Sequence, residues 1–372
     1  MRFWTFLLLA SGVSATLAAE PQAVTVQTQH FQITSYAGKS EAEQEGNFLE
    51  SLVTQFTQVL QIGPSSGQTA TPLLSVELFP TLKAYEATVL PLLGKAPTPP
   101  LALKFSAEKS QLLGVVHQGD NSSWAFQTFL EWFWATAPQA PAWLEEGLAR
   151  YFWDISGEAP AWQFGQNLVF ADDLLKQWTQ PPELSFLTKT KLTDQEALSA
   201  WGLVTFFMNT SNPSYSRAFG AYLANLASQS NKLTHLKPDF APALSKDCWN
   251  WWQAHPGRAT LLQEAEKALK NGDGKTAQPL IAQALQLKTD GNTLYLAGLA
   301  AYESKEYAQA EADYLKAQEA WKESPPGLLD YALGLTFYQE QKWTEAKAHF
   351  TSAGKASETY KKLAEPLLAN LP

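Results

Sequence analysis

Hydrophobic positions alternate with polar ones from residue 24 to residue 35, and this predicts a strand through His30-Phe31-Gln32-Ile33-Thr34. The spacing then changes. Phe48, Leu49, Leu52, Val53, Phe56, Val59 and Leu60 recur at three and four residues, so 40–62 reads as a helix closed by Gly63-Pro64-Ser65-Ser66-Gly67. A second strand is expected over 73–79 and a short helix over 81–89. A proline-rich connection from Pro91 to Pro100 leads into two strands, 101–105 and 112–117, that read as a hairpin. From residue 121 to about 256 the pattern is almost wholly helical, with segments 122–136, 142–153, 165–178, 194–209, 213–228 and 246–254. The first of these carries Trp124, Phe126, Phe129, Leu130, Trp132, Phe133 and Trp134. A helix apolar on every side belongs in the middle of a domain. Strands and helices in this order predict an α+β domain.

Beyond His255-Pro256-Gly257 the chain repeats. Gly298, Tyr302, Tyr307, Ala310 and Ala317 recur as Gly334, Tyr338, Trp343, Ala346 and Ala353, a constant offset of 36. Ala277 and Ala284 match Ala310 and Ala317 at an offset of 33. Small residues at such places let paired helices approach, and the aromatics fill the groove between neighbours. These positions resemble tetratricopeptide repeats, about three of them, closed by an amphipathic helix around 356–369. The resemblance implies an all-α array over 257–372 with a concave face that holds a protein or peptide.

Composition narrows the setting. The chain has 372 residues, 45% hydrophobic and 17% charged, enough for two folded domains. Its net charge is −9 and no basic run occurs, which argues against nucleic acid and against an anionic membrane surface as partners. Residues 1–19 (MRFWTFLLLASGVSATLAA) combine one positive charge, a short apolar run and a small-residue end. They are expected to form a secretory signal peptide cleaved near Ala18 or Ala19. The expected location is therefore periplasmic or secreted, with no membrane attachment after cleavage. Cys248 is the single cysteine, so no internal disulfide contributes.

Candidate chemistry centres on residues 141–153, Pro-Ala-Trp-Leu-Glu-Glu-Gly-Leu-Ala-Arg-Tyr-Phe-Trp. This run resembles the W-L-x-E-G-x-A-x-Y-F segment of secreted bacterial peptidase-MA-like gluzincin metallopeptidases. Residues 200–207 resemble a downstream helix of the same family. The resemblance covers roughly residues 24–255 and implies a zincin-like domain, a small sheet plus helices, over 20–256. It also implies that Glu146 stands at the third zinc-ligand position, with an H-E-x-x-H helix upstream. That upstream helix reads Ser-Trp-Ala-Phe-Gln-Thr-Phe-Leu-Glu-Trp-Phe-Trp (123–134) and has no histidine.

Zinc catalysis on such a helix needs two imidazoles one turn apart and a carboxylate between them as base. The best register sets Phe126 and Leu130 at the imidazole positions and Gln127 at the base. A second, Leu130-Glu131-Trp132-Phe133-Trp134, keeps a carboxylate at the base position and still lacks both imidazoles. Neither set holds a cation, because hydrocarbon and indole rings offer no lone pair. Glu146 and Arg150 lie four apart in the favourable order for an ion pair, and Arg150 is expected to supply the charge that a metal supplies elsewhere. Phe126 and Leu130 are expected to pack over that pair.

Other chemistry has weaker support. The five histidines, His30, His117, His235, His255 and His349, are scattered, and only His117 precedes the buried helix closely enough to approach Glu146. The doublets Glu145-Glu146 and Asp172-Asp173 point in different directions on a helix, so neither is an acid/base pair. Cys248 sits in a core-like setting, and no G-x-S-x-G or phosphate-binding glycine motif occurs. The expectation is a non-catalytic exported protein with no cofactor, a degenerate peptidase frame that binds a protein or peptide. Two alternatives stand beside it: an active zinc peptidase with a rearranged set such as His117 and Glu146, and a cell-wall glycan binder that presents some of the 14 tryptophans.

Overall fold

The computed structural model describes residues 23–62, 73–95, 101–105, 110–116, 120–227, 241–321 and 327–372. The chain is mixed α and β, a small sheet near the N-terminus followed by a long run of helices. It divides into two compact units, Met1–Ser51 with Pro72–Gly119 and Leu52–Thr71 with Asp120–Pro372. The expected boundary at 256/257 therefore lies inside the second unit.

In the first unit five strands form one sheet in the order β1-β2-β3-β5-β4: β1 Val24–Gln27, β2 Phe31–Ser35, β3 Leu74–Phe79, β4 Leu101–Phe105 and β5 Ser110–Val115. The pairs β2/β3 and β3/β5 are parallel, and the outer pairs β1/β2 and β4/β5 are antiparallel. The alternating stretch 24–35 is thus two strands and a turn. Glu50, on α1 (Lys39–Leu60), holds that turn: it accepts from Thr28 Oγ1 (2.6 Å), from the His30 N–H (2.7 Å) and from His30 Nδ1 (2.6 Å). Phe31 and Ile33 are fully buried, as the period of two requires. Helix α2 (Leu82–Leu93) is capped by Thr81 and runs through Pro91 before Gly94, at φ 73°, ends it. The helix therefore outlasts its expected end at residue 89. The proline falls in its final turn, where it removes one i→i−4 bond shortly before the helix ends.

The second unit takes the end of α1 from Leu52 on and continues with two helices joined by a short turn, α3 (Asn121–Thr136) and α4 (Ala142–Trp153). A two-stranded hairpin, β6 (Ile155–Ser156) with β7 (Gln163–Phe164), follows, then α5 (Ala171–Gln177) and a 3-10 turn, Ser185–Thr188. Next come α6 (Asp194–Asn209), α7 (Pro213–Ala227) and α8 (Ala241–Ala254). The core here is aromatic: Phe56, Phe129, Phe133 and Phe152 are fully buried, with Phe56 and Phe152 ring centroids 4.6 Å apart. The expected helix 165–178 is shorter than its apolar pattern suggested. Residues 165–170 turn instead, with Gly165 at φ 62° and Leu168 at φ 50°. One buried carboxylate sets this turn: Asp154 accepts from Asn167 Nδ2 (2.6 Å) and the Leu168 N–H (2.8 Å).

Among the described residues, seven helices complete the chain: α9 (Arg258–Lys270), α10 (Gly274–Leu287), α11 (Gly291–Glu303), α12 (Tyr307–Ala320), α13 (Leu328–Gln339), α14 (Trp343–Ala356) and α15 (Glu358–Ala369). Three hairpins, α9/α10, α11/α12 and α13/α14, share one turn. Gly272, Lys305 and Gln341 have φ of 69°, 64° and 61°. The next N–H in each case reaches back to the preceding helix, Asp273 to Ala268 O (3.0 Å), Glu306 to Ala301 O (2.8 Å) and Lys342 to Phe337 O (2.9 Å). Tyr302 meets Tyr307 edge-on at 5.6 Å, and Tyr338 meets Trp343 at 5.4 Å. Gly298 lies against the Tyr314 ring and Gly334 against Phe350, where an added Cβ would come within 2.5 and 2.6 Å. The offset of 36 in the sequence is an offset of 36 in geometry.

Candidate functional site

Helix α4 carries the W-L-E-E-G run, and packing explains most of its letters. Trp143, Leu144, Leu148, Ala149, Tyr151 and Phe152 are all buried. Trp143 stacks on Tyr222 of α7 at 5.9 Å and 20°. At Gly147 the helix presses against α6: a Cβ there would stand 2.6 Å from Val204 Cγ2 and 2.7 Å from the Ala200 carbonyl oxygen. The motif's glycine serves a close helix crossing.

Glu146 and Arg150 lie on the other side of α4. Arg150 Nε is 3.9 Å from Glu146 Oε2, with side chains 25% (Arg150) and 40% (Glu146) exposed. That is charge proximity without a hydrogen bond, and Arg150 Nε has no hydrogen-bond partner. The guanidinium instead lies 5.8 Å from the centre of the Phe170 ring. On α3, Phe126 is half-buried and meets Trp153 edge-on at 5.5 Å, and Trp153 meets Phe170 at 6.4 Å. Phe126, Trp153, Phe170 and Arg150 thus form one connected aromatic and cationic group. Leu130 is buried and Gln127 half-buried beside it in sequence. The ring at 126 rests on Trp153, one turn beyond the Glu146–Arg150 pair. In the second register Glu131 is fully buried, while Trp134, at the other imidazole position, donates to Glu145.

The carboxylate doublets separate as helical geometry demands. Glu145 lines a groove of about 530 Å³ with Gln139, Pro141, Trp143, Lys189 and Tyr222. Burial raises its pKa, the neighbouring Glu146 adds to the rise, and the Trp134 hydrogen bond opposes it. Asp172 bonds to the first turn of α9, whereas Asp173 pairs with Lys176 at 3.1 Å. Asp154, 1% exposed, has its pKa raised by burial against its several hydrogen bonds. Sequence reading singled out neither Glu145's groove nor Asp154. Both depend on residues that meet only in the fold.

The described histidines are engaged elsewhere: His30 with Glu50, His255 with the Trp251 carbonyl at 2.7 Å, and His349 with Asp330 at 2.9 Å. His117 and His235 lie outside the described residues, so the proposed approach of His117 to Glu146 does too. Among the described residues no three His, Cys, Asp or Glu side chains converge. Cys248 is fully buried, which pushes its thiol well up from its ordinary value and away from the reactive thiolate. No described tryptophan is exposed, and the surface row that sugar stacking needs is absent among them. None of the described helices is long and apolar enough to cross a membrane. No family model, no curated protein and no solved structure matches this chain, and the functional reading rests on the geometry above.

Proposed function

We propose that this chain is a non-catalytic exported binding protein, a degenerate peptidase-MA-like domain joined to a tetratricopeptide-like array that holds a protein or peptide partner. The observation that carries the reading is the contact of Phe126 with Trp153 beside Arg150. Two aromatic rings and a guanidinium occupy the α3–α4 face on which a gluzincin would carry its imidazoles, and none of them donates a lone pair to a cation. In the first register the glutamine at 127 accepts no proton at neutral pH, so that register lacks a base as well as a ligand set. Gly147 gives the W-L-E-E-G run a packing role that needs no chemistry. The repeated hairpin turns at Gly272, Lys305 and Gln341 support the array half of the reading.

The test is the metal content and peptidase turnover of the purified chain. Substoichiometric zinc and no chelator-sensitive hydrolysis are expected. One firmly held zinc per chain, or turnover abolished by a chelator, would overturn the reading and favour the rearranged zinc peptidase.

A further inference from the structure

Helix α9 begins without a cap of its own. Its N-cap residue is Gly257, which has no side chain to accept from the first turn. Asp172 takes that role from 87 residues upstream: its carboxylate accepts from the Ala259 N–H (3.1 Å), the Thr260 N–H (3.1 Å) and Thr260 Oγ1 (2.6 Å). Glycine at 257 is what allows the approach, since a Cβ there would lie 2.4 Å from Asp172 Oδ2 and from the carboxyl carbon. The same turn is tied on its other side. Arg258 donates to Asp290 Oδ2 (2.5 Å) and to Thr293 Oγ1, and Asp290 itself caps α11 by accepting from the Thr293 N–H at 2.9 Å. By contrast, the two apolar cores of the array, one around Ile281 and one around Tyr314 and Phe350, draw on no residue before Leu262.

We propose that Asp172 is a latch: its carboxylate fixes the direction of the array against α5, and its release lets the array pivot about His255-Pro256-Gly257. The release is reversible in chemical terms because water satisfies the α9 N–H groups once the carboxylate leaves. Arg258, Asp290 and Thr293 carry the α9 direction on to α11, so α9–α11 turns as a body. The Asp172 contacts are hydrogen bonds that water can replace, whereas Leu261, buried in the same turn, opposes the opening. An apolar joint would expose hydrophobic surface on opening.

The experiment places spin labels at Lys176→Cys on α5 and Lys270→Cys on α9, both exposed positions, while the buried Cys248 stays unlabelled. Inter-spin distances are read in the full chain. The native sequence is expected to give one narrow distance population. Asp172→Ala and Gly257→Ala are each expected to lose it and gain a second population, with unchanged helical circular dichroism. Asp172→Asn and Thr260→Ala are expected to show a smaller share of the second population. A native chain that is already broad, or a single native population in both folded alanine variants, would overturn the latch. Where either alanine variant fails to fold, the decision passes to Asp172→Asn and Thr260→Ala, and unchanged distances in both would overturn it.

Discussion

Gly147 of α4 faces the carbonyl of Ala200 on α6 so closely that a β-carbon would sit 2.7 Å from the oxygen. Backbone on one side and Val204 on the other leave the crossing no slack. Gly147→Ala is therefore expected to destabilise the protein by about 1–3 kcal/mol through overpacking, although alanine is the better helix former. Denaturant unfolding of the variant checks this. An unchanged midpoint would remove the packing account of the motif.

The Glu146–Arg150 pair is a different kind of contact, 3.9 Å apart and partly exposed. Glu146→Gln is expected to change stability by less than about 1 kcal/mol, as partly exposed ion pairs do. Thermal unfolding with and without added zinc reads both the size of the effect and its indifference to metal. A large loss that zinc modulates would point to a ligand.

Glu50 makes stability fall in acid. Burial alone would raise its pKa, but hydrogen bonds from His30 and Thr28 outweigh burial and leave it below the ordinary carboxylate range. A depressed folded pKa contributes stability that is present above the unfolded value and lost as pH falls through the folded one. Glu50→Gln is expected to flatten that limb and to cost about 1–3 kcal/mol near neutrality, the net worth of hydrogen bonds to a charged group. Unfolding curves collected from about pH 3 to pH 7 test it, since this window brackets the ordinary glutamate pKa.

Asp154 works in the opposite direction. Its folded pKa is raised, so the native state binds a proton that the unfolded chain has released. Its contribution to stability therefore falls as pH rises from the ordinary aspartate value through the raised one. In Asp154→Asn that negative slope is expected to vanish, while one of the two accepted bonds, from Asn167 or Leu168, is lost. The same pH series, subtracted from the native one, isolates the slope. A difference curve that rises with pH would contradict the assignment.

Phe350 fills the space over Gly334 and is fully buried, the counterpart of Tyr314 over Gly298. Phe350→Ala is expected to cost about 3–5 kcal/mol. Hydrogen exchange on α13 and α14 is expected to rise more than on α9 and α10, because neighbouring hairpins carry stability locally. Uniform loss of protection along the array would deny it a repeat character.

Much of this was legible in the chain. Periodicity found α3, α4 and α6 because their apolar faces are long, and the offset of 36 located the hairpins because Gly298 and Gly334 must admit a ring. The β6/β7 hairpin was hidden: two short strands leave little pattern, and the turn after them hangs on Asp154, whose partners lie 13 and 14 residues away. Asp172 read as half of an acidic doublet. Its cap on α9 could not be seen, since no local spacing connects residues 172 and 260. Residues 141–153 read as a motif with a catalytic relative, and their buried face is what the fold uses.

The most direct test compares zinc titration calorimetry of the native chain with that of the triple variant Phe126→His, Gln127→Glu, Leu130→His. The native chain is expected to bind no stoichiometric zinc and the variant about one per chain, since the proposed degenerate site lacks two imidazoles. Stoichiometric binding by the native chain would contradict it.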